Sequence, residues 1–264
     1  MVALVTGAAR ADGIGQGIVR SLLARGARGV VFGDVDADAG AATREALERE
    51  FPGRAHFIRH DVTSPGDWQA ASDLCLREFG ALHVLVNNAG IPLVGTITDT
   101  DLETFRRGMA INFDSQYIGI RHCAPILAAH AGERAGGAAI INNSSMAAYL
   151  ADPGNVAYHV SKAAVRMLTM CAAREFGPQR IRVNSVHYGP VMTNAMHEAT
   201  ERYAASGAFA DGDAARAGIA ALSPLNTTGT IEEAGALVAY LAGDEARFVT
   251  GAAYWLDGGC FMQY

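Results

Sequence analysis

Cysteine is scarce in this chain of 264 residues, and the four that occur are Cys75, Cys123, Cys171 and Cys260. They lie far apart and form no C-x-x-C pair, so the sequence predicts neither a disulfide framework nor a metal site. Free thiols are typical of a reducing compartment, and we therefore expect a cytoplasmic protein.

Clusters of basic residues and long apolar runs are also missing. The chain has 21 basic and 27 acidic residues, which gives a formal net charge of −6. This balance argues against a nucleic-acid partner. No apolar run reaches the roughly 18 residues that a membrane span requires, and a strand-like stretch, Val2–Val5, stands where a signal peptide would begin. We therefore expect no nucleic-acid partner and no membrane association.

No internal repeat, low-complexity tract or linker-like change of composition interrupts the chain. Instead, short apolar strands alternate with amphipathic helices, which is typical of an α/β fold with a parallel sheet. We predict a single Rossmann-type, doubly wound domain over residues 1–264, with about seven parallel strands and helices on both faces. The prediction includes a long helix over about 101–130. It also includes an irregular segment over about 191–225 that would cover the substrate.

The first strand, helix and second strand enclose a glycine-rich stretch, T-G-A-A-R-A-D-G-I-G. Glycines let the backbone approach a pyrophosphate, whose charge is stabilised by the helix N-terminus. Asp34 ends the second strand, 19 residues after Gly15, where an acid accepts a hydrogen bond from an adenosine ribose hydroxyl. Its charge would repel a 2′-phosphate. The sequence therefore favours NAD over NADP.

Tyr158 and Lys162 are four residues apart at the start of a predicted helix, so they share one face. At about 6 Å and a dielectric constant of about 20, an ammonium stabilises a phenolate by about 3 kcal/mol, or about two pKa units. That shift would bring a tyrosine towards the range useful for general acid–base catalysis. A surface tyrosine beside a solvated lysine is the alternative that this pair alone leaves open.

Several further motifs occur at the predicted strand ends. Together with the glycine loop, Asp34 and the Tyr158–Lys162 pair, they extend over essentially the whole chain. In these motifs the chain resembles the short-chain dehydrogenase/reductase family in its single-domain form. The motifs that carry the resemblance are the glycine loop (6–15), the acid Asp34, Asp61–Val62, N-N-A-G (87–90), Asn112, N-N-S-S (142–145), Y-H-V-S-K (158–162) and D-G-G (257–259).

The resemblance implies a catalytic group of Asn112, Ser145, Tyr158 and Lys162. Tyr158 would exchange a proton with the substrate oxygen, and Ser145 would hydrogen-bond that oxygen. The family places its serine thirteen residues before the tyrosine, which selects Ser145 over Ser144. Lys162 would lower the pKa of the tyrosine and hold the nicotinamide ribose. Asn112 would anchor a water that connects Lys162 to solvent.

The resemblance also implies a homotetramer and a bound nicotinamide dinucleotide. The family's loop has three residues between its first two glycines, whereas this one has five, with Ala11 and Asp12 as the additional residues beside Arg10. The implied cofactor residues are Gly7, Arg10, Gly13, Ile14, Gly15, Asp34, Asp61, Val62, Asn88, Ala89, Gly90, Tyr158, Lys162, Gly189, Val191 and Thr193.

Tyr188 is a second departure, because the family normally has proline at this position. Our hypothesis is that Tyr188 lines the pocket and shapes substrate access; neutral drift at a loop is the alternative. The residues expected around the substrate are mostly apolar: Leu93, Tyr149, Tyr188, Met192 and Met196. They either bind the substrate or only pack against the segment over about 191–225 that would cover it.

We therefore predict an oxidoreductase that interconverts a secondary alcohol and a ketone, on a hydrophobic, cyclic or steroid-like substrate. Related enoyl reductases space their Tyr and Lys further apart, so Y-x-x-x-K argues against that activity. Two alternatives stay open at this point. One is a β-ketoacyl reductase of the same family, and the other is a non-catalytic NAD-binding sensor.

Overall fold

The computed structural model describes residues 1–205 and 207–263, without the side chains of Ala195, Tyr203 and Gln263. Within this part of the chain, seven strands form one parallel sheet in the order β3-β2-β1-β4-β5-β6-β7. This confirms the predicted fold class. The strands are β1 (Val2–Thr6), β2 (Gly29–Asp34), β3 (Ala55–Arg59), β4 (Val84–Asn87), β5 (Ala138–Ser145), β6 (Ile181–Tyr188) and β7 (Ala253–Leu256).

Helices cover both faces of the sheet. They are α1 (Ile14–Ala24), α2 (Ala37–Glu50), α3 (Pro65–Phe79), α4 (Leu102–Met109), α5 (Ser115–His130), α6 (Val156–Phe176), α7 (Asn194–Ala205), α8 (Gly212–Ala220) and α9 (Ile231–Ala242). Alternate residues of β1 point to opposite faces: Val5 packs in the cluster with α1 and α9, whereas Leu4 packs in the cluster with α3 and α5. None of the described helices combines the length and the apolarity needed to cross a membrane.

The predicted long helix over about 101–130 is interrupted. A π-helical segment, Ala110–Asp114, separates α4 from α5 and widens the turn by one residue. Hydrogen bonds from the Asn112 side chain to the backbone of Ile91 hold this segment inward. Because this break depends on contacts between residues far apart in the chain, the sequence pattern did not reveal it.

The segment over about 191–225 is more regular than predicted, because it contains α7 and α8. Asp211 caps α8 by accepting a hydrogen bond from the Ala214 N–H. The Oγ1 of Thr193 accepts in the same way from the Met196 N–H at the start of α7. These capping hydrogen bonds stabilise the starts of two helices that the weak hydrophobic pattern of the segment did not predict.

The sheet order reverses between β1 and β4, since the chain first builds outward to β3 and then returns to β4. Parallel sheets of this kind bind ligands at the carboxyl ends of the strands on either side of such a switch point. The glycine loop follows β1 and N-N-A-G follows β4, so both motifs lie at this place.

Close packing between α1 and α9 depends on two glycines. A Cβ on Gly235 would lie 2.1 Å from the Gly17 carbonyl oxygen. We expect Gly235→Ala to reduce the free energy of unfolding by about 1–3 kcal/mol, because overpacking outweighs the helix propensity gained. The matched control is Gly132→Ala, where a Cβ would meet no atom within 4 Å. Equal denaturation midpoints for the two variants would contradict this packing argument.

Candidate active site

Two adjoining clefts open at the carboxyl edge of the sheet, with volumes of about 490 and 430 Å³. They share Ile14, Asn88, Gly90, Ile91 and Thr193, so they form one continuous groove. The first cleft contains the glycine loop, and the second contains the serine pair, Tyr158 and Lys162. Predicted cofactor residues in the first cleft are Gly7, Arg10, Gly13, Ile14, Gly15, Asp34, Asp61, Val62, Asn88, Ala89, Gly90 and Thr193, while Gly189 and Val191 line the second.

The glycine loop is built for close backbone approach. Gly7 has a φ of 65°, and a Cβ there would lie 2.6 Å from the Ala89 Cα. A Cβ on Gly15 would lie 2.4 Å from the Gly7 carbonyl oxygen. The N-cap of α1, Gly13, supplies no side-chain hydrogen bond, so the positive end of the helix faces the cleft without a protein cap. This arrangement fits the pyrophosphate of a dinucleotide.

Asp34 lies at the far end of the first cleft, and its carboxylate also supports the loop. Its Oδ2 accepts a hydrogen bond of 3.1 Å from the Ala9 N–H, and its Oδ1 accepts one of 3.2 Å from the Asp36 N–H. Each oxygen keeps a second lone pair for a ligand. Nearby, hydrogen bonds from the Thr63 hydroxyl and N–H lower the pKa of Asp61. The Asp61 carboxylate is therefore charged at neutral pH.

Asp12, one of the inserted residues, lines the first cleft with an Oδ2 that is buried and has no partner among the described residues. Arg10 and Arg107 border the same cleft. Arg107 was not found by sequence reasoning, because it lies on α4 outside any motif. Buried His60 also borders this cleft, and burial lowers its pKa to about 4.

In the second cleft, the hydroxyls of Ser144 and Ser145 form different hydrogen bonds. Ser144 donates its hydroxyl to the Lys162 carbonyl oxygen over 3.1 Å, so it ties β5 to α6. The Oγ of Ser145 accepts a 3.1 Å hydrogen bond from the Ala147 N–H. That bond uses a lone pair and leaves the Ser145 hydrogen available to donate. The geometry therefore favours Ser145 as the partner of a substrate oxygen.

Lys162 is buried, and its Nζ donates to the Asn143 carbonyl oxygen over 3.1 Å. The ammonium lies 5.6 Å from the centre of the Tyr158 ring. Burial lowers the pKa of Lys162 to about 8. Burial also raises the pKa of Tyr158, and the hydrogen bond to Ser145 only partly opposes this. This direction is opposite to the sequence-based expectation, because the loss of solvent around the phenol has the largest effect on its pKa.

Lys162 is the only lysine in the chain, and its side chain can therefore be titrated without interference. We expect Nζ to titrate near pH 8, well below the ordinary lysine value, since desolvation favours the neutral amine. Reductive methylation with ¹³C-formaldehyde labels this amine and the N-terminus, and ¹³C NMR follows both. Lys162→Arg identifies the N-terminal signal. An Nζ titration near the ordinary value would contradict the desolvated environment.

Asn112 is buried in the π-helical segment, where its amide forms two hydrogen bonds with Ile91: Oδ1 accepts from the N–H over 2.8 Å, and Nδ2 donates to the carbonyl over 3.0 Å. A Cβ on Gly90 would lie 3.3 Å from Asn112 Oδ1 and 3.4 Å from Lys162 Nζ. The structure thus brings Asn112 and Lys162 together over Gly90, and a side chain at position 90 would crowd both groups.

Tyr188 and Met196 line the second cleft, as the sequence predicts. The Tyr188 hydroxyl donates to Asn143 Oδ1 over 3.4 Å, and Asn143 Nδ2 donates to Asn88 Oδ1 over 2.5 Å. Asn143 therefore connects Tyr188 to the cofactor cleft. Sequence reasoning missed its role, although it belongs to the N-N-S-S motif.

Three predicted substrate residues do not line either cleft. Leu93 packs over Gly108 on α4. Tyr149 packs against Trp255, with ring centres 4.7 Å apart, and its hydroxyl accepts a hydrogen bond from Arg166. Met192 is fixed in the loop by a backbone hydrogen bond to the Gly229 carbonyl. Their positions in loops near the site did not determine which way their side chains point.

The comparisons with known proteins agree with this geometry. The family model described as enoyl-(acyl carrier protein) reductase matches residues 7–260. A 3-alpha-(or 20-beta)-hydroxysteroid dehydrogenase of Mycobacterium tuberculosis is 39% identical over 258 residues, which cover 98% of this chain and 88% of the relative. A trans-4-hydroxycyclohexanecarboxylate dehydrogenase of Sinomonas cyclohexanicum is 36% identical over 263 residues, with 98% and 92% covered.

A solved structure of a putative gluconate dehydrogenase from Agrobacterium tumefaciens superposes with a TM-score of 0.85 at 26% identity, covering 98% of this chain and 95% of that one. The resemblance inferred from the motifs is confirmed by the family match and by relatives that span nearly the whole chain. The protein therefore belongs to the short-chain dehydrogenase/reductase family, and is an oxidoreductase of alcohol and ketone groups that uses a nicotinamide cofactor.

Proposed function

We propose that the protein is an NAD-dependent dehydrogenase of secondary alcohols, with Tyr158 as its general acid–base. The observation that carries the proposal is the convergence of Ser145, Tyr158 and Lys162 in a cleft that continues into the glycine-loop cleft. The residues proposed for proton transfer therefore lie beside those proposed for cofactor binding, which supports the proposal.

The substrate oxygen would lie between the Ser145 hydroxyl and the Tyr158 phenol. Ser145 can donate its hydrogen to that oxygen, because the hydrogen bond from the Ala147 N–H occupies only a lone pair of Oγ. Tyr158 removes the alcohol proton in oxidation and returns it in reduction. A bound nicotinamide would supply hydride acceptance or donation. Lys162 stabilises the phenolate, and Asn112 holds the Ile91 backbone beside the lysine.

The preference for NAD rests on Asp34, which lines the end of the first cleft with both oxygens able to accept further hydrogen bonds. A 2′-phosphate there would face its charge. The Asp34 charge therefore disfavours a cofactor that carries an additional phosphate there. Asp12 adds a second carboxylate to the same cleft, among the loop residues that would face the pyrophosphate of either cofactor.

We propose a hydrophobic, cyclic secondary alcohol as substrate. The second cleft places a set of apolar side chains beside the catalytic group, with the charged Glu198 and Arg202 also in its lining: Ile14, Ile91, Pro92, Val191, Met196 and Ala199. The relatives named for a hydroxysteroid and a hydroxycyclohexane carboxylate both carry a ring, which supports this class. The description of the family model names an enoyl reductase, but the four-residue spacing of Tyr158 and Lys162 favours alcohol chemistry.

Three further expectations accompany the proposal. Residues 1–264 form one catalytic domain, with 191–225 as a lid, since α7 supplies Met196 and Ala199 to the second cleft. Four copies associate through the interrupted helix that bears Asn112, through α6, and through α9 and β7. Both α5 and α6 expose apolar side chains such as Tyr117 and Met167. The intact protein works in the cytoplasm.

The test is a panel of cyclic and linear secondary alcohols with NAD⁺, followed by NADH absorbance, together with the matching ketones and NADH. We expect the highest kcat/KM for cyclic substrates. Turnover of β-ketoacyl thioesters above all cyclic ketones would favour the ketoacyl reductase instead. Measurable NAD binding without turnover of any substrate would favour a sensor.

A further inference from the structure

His187 precedes Tyr188 in β6 and has no role in the proton transfer described above. Its side chain is fully buried, and strand register pairs it with Ser144, one residue before Ser145. A buried imidazole beside the catalytic serine requires an explanation, because an unpaired ring nitrogen at this depth would cost free energy.

Both ring nitrogens of His187 have partners. Nδ1 lies 3.0 Å from the Ser145 carbonyl oxygen, and Nε2 lies 2.8 Å from the Ser185 Oγ. A carbonyl oxygen can only accept, so Nδ1 carries the hydrogen. In the neutral ring Nε2 then accepts from the Ser185 hydroxyl. Burial lowers the pKa of His187 to about 4, which keeps the ring neutral at physiological pH.

The ring is also fixed by its neighbours. It packs against both Tyr149 and Trp255, with ring centres at 5.1 and 5.3 Å, and these two rings also contact each other. Trp255 in turn stacks on Phe261 at 4.3 Å. The charged groups nearest the ring are Arg166 and Lys162, and both oppose its protonation. A single tautomer in a single orientation follows from these contacts.

Ser145 is the last residue of β5, and its carbonyl belongs to the peptide that starts the turn Met146–Ala148. That turn returns the Ala147 N–H to the Ser145 Oγ over 3.1 Å. The peptide held by His187 therefore also sets the position of the serine hydroxyl. We propose that His187 is a positioning residue that fixes the Ser145 hydroxyl against the substrate oxygen by holding the peptide after Ser145.

This inference rests on the proposed function, and two substitutions test it. His187→Asn keeps an amide N–H near the position of Nδ1, whereas His187→Gln places one near Nε2 and loses the bond to Ser145. We expect His187→Gln to lower kcat about tenfold with the KM for NAD⁺ unchanged, because small misplacement of a reacting group is costly. His187→Asn should stay within about threefold of the wild type. Equal losses in both variants would overturn the proposal.

Combining each substitution with Ser145→Ala separates positioning from general damage. If His187 acts through the serine, His187→Gln should cause no further loss of kcat in the Ser145→Ala background. The same tenfold loss in that background would show that His187 works elsewhere, and the proposal would fail. Denaturation midpoints for all variants show whether each is folded.

A measurement that does not depend on activity tests the hydrogen bond even if the wild type is inactive or a variant does not fold. In protein labelled with ¹⁵N-histidine, the signal absent from a His187 variant should show a protonated Nδ1 and an unprotonated Nε2 from about pH 5.5 to about pH 8. The opposite tautomer or a charged ring would refute the hydrogen bond to Ser145. Turnover of no alcohol, with this tautomer present, would instead contradict the proposed function alone.

Discussion

Tyr158→Phe is expected to lower kcat for alcohol oxidation by about 10³-fold, because general acid–base catalysis of this kind contributes about 10²–10⁴-fold. The substitution removes one oxygen and leaves the ring, which the ammonium of Lys162 approaches to 5.6 Å. NAD binding should be retained, since the first cleft and its glycine loop do not depend on the phenol. Steady-state kinetics and cofactor titration measure the two effects.

The matched control is Tyr117→Phe, which removes the same oxygen from a side chain that is 53% exposed on α5. Its kcat should equal that of the wild type. The raised pKa of Tyr158 also predicts the shape of the pH profile: kcat for oxidation should rise with pH as the phenol ionises. This rise should vanish in Tyr158→Phe. A residual activity within tenfold of the wild type, with the rise intact, would assign the proton transfer to another group.

Sequence reasoning predicted the elements that local patterns determine. Asp34 ends β2 and Tyr158 lies in the first turn of a helix, both as predicted. The break at Ala110–Asp114 could not be predicted in this way. It depends on hydrogen bonds between Asn112 and Ile91, which are 21 residues apart in the chain.

The candidate site was likewise predicted only in part. Motif spacing located Ser145, Tyr158 and Lys162, which the structure brings to one cleft. It did not predict where Tyr149 points, because the cluster with His187 and Trp255 assembles from three separate elements. It also gave the wrong direction for the pKa of Tyr158. A Coulomb estimate from helix spacing leaves out the desolvation of the buried phenol. This desolvation has the largest effect on the pKa of Tyr158.

Asp34→Asn is expected to reduce the preference for NAD over NADP, measured as the ratio of kcat/KM values, by about 10²-fold. Asparagine keeps an oxygen that can accept from the Ala9 N–H, so the glycine loop stays supported while the charge is removed. About 2–3 kcal/mol of repulsion against the 2′-phosphate is thereby lost, which corresponds to about 10²-fold at 1.4 kcal/mol for each factor of ten. Steady-state kinetics with each cofactor at saturating alcohol give the ratio.

Two further substitutions show whether the preference for NAD depends on a carboxylate at position 34 or on any negative charge nearby. Asp38→Asn removes an equal charge from the first turn of α2, outside the cleft, and should leave the ratio unchanged. Asp12→Asn removes the unpartnered carboxylate that lies among the loop residues. Because every dinucleotide carries the pyrophosphate, we expect Asp12→Asn to tighten NAD and NADP binding together and to alter their ratio much less than Asp34→Asn does. A wild type that prefers NADP, or equal ratios in the Asp34 and Asp38 variants, would remove Asp34 from its role.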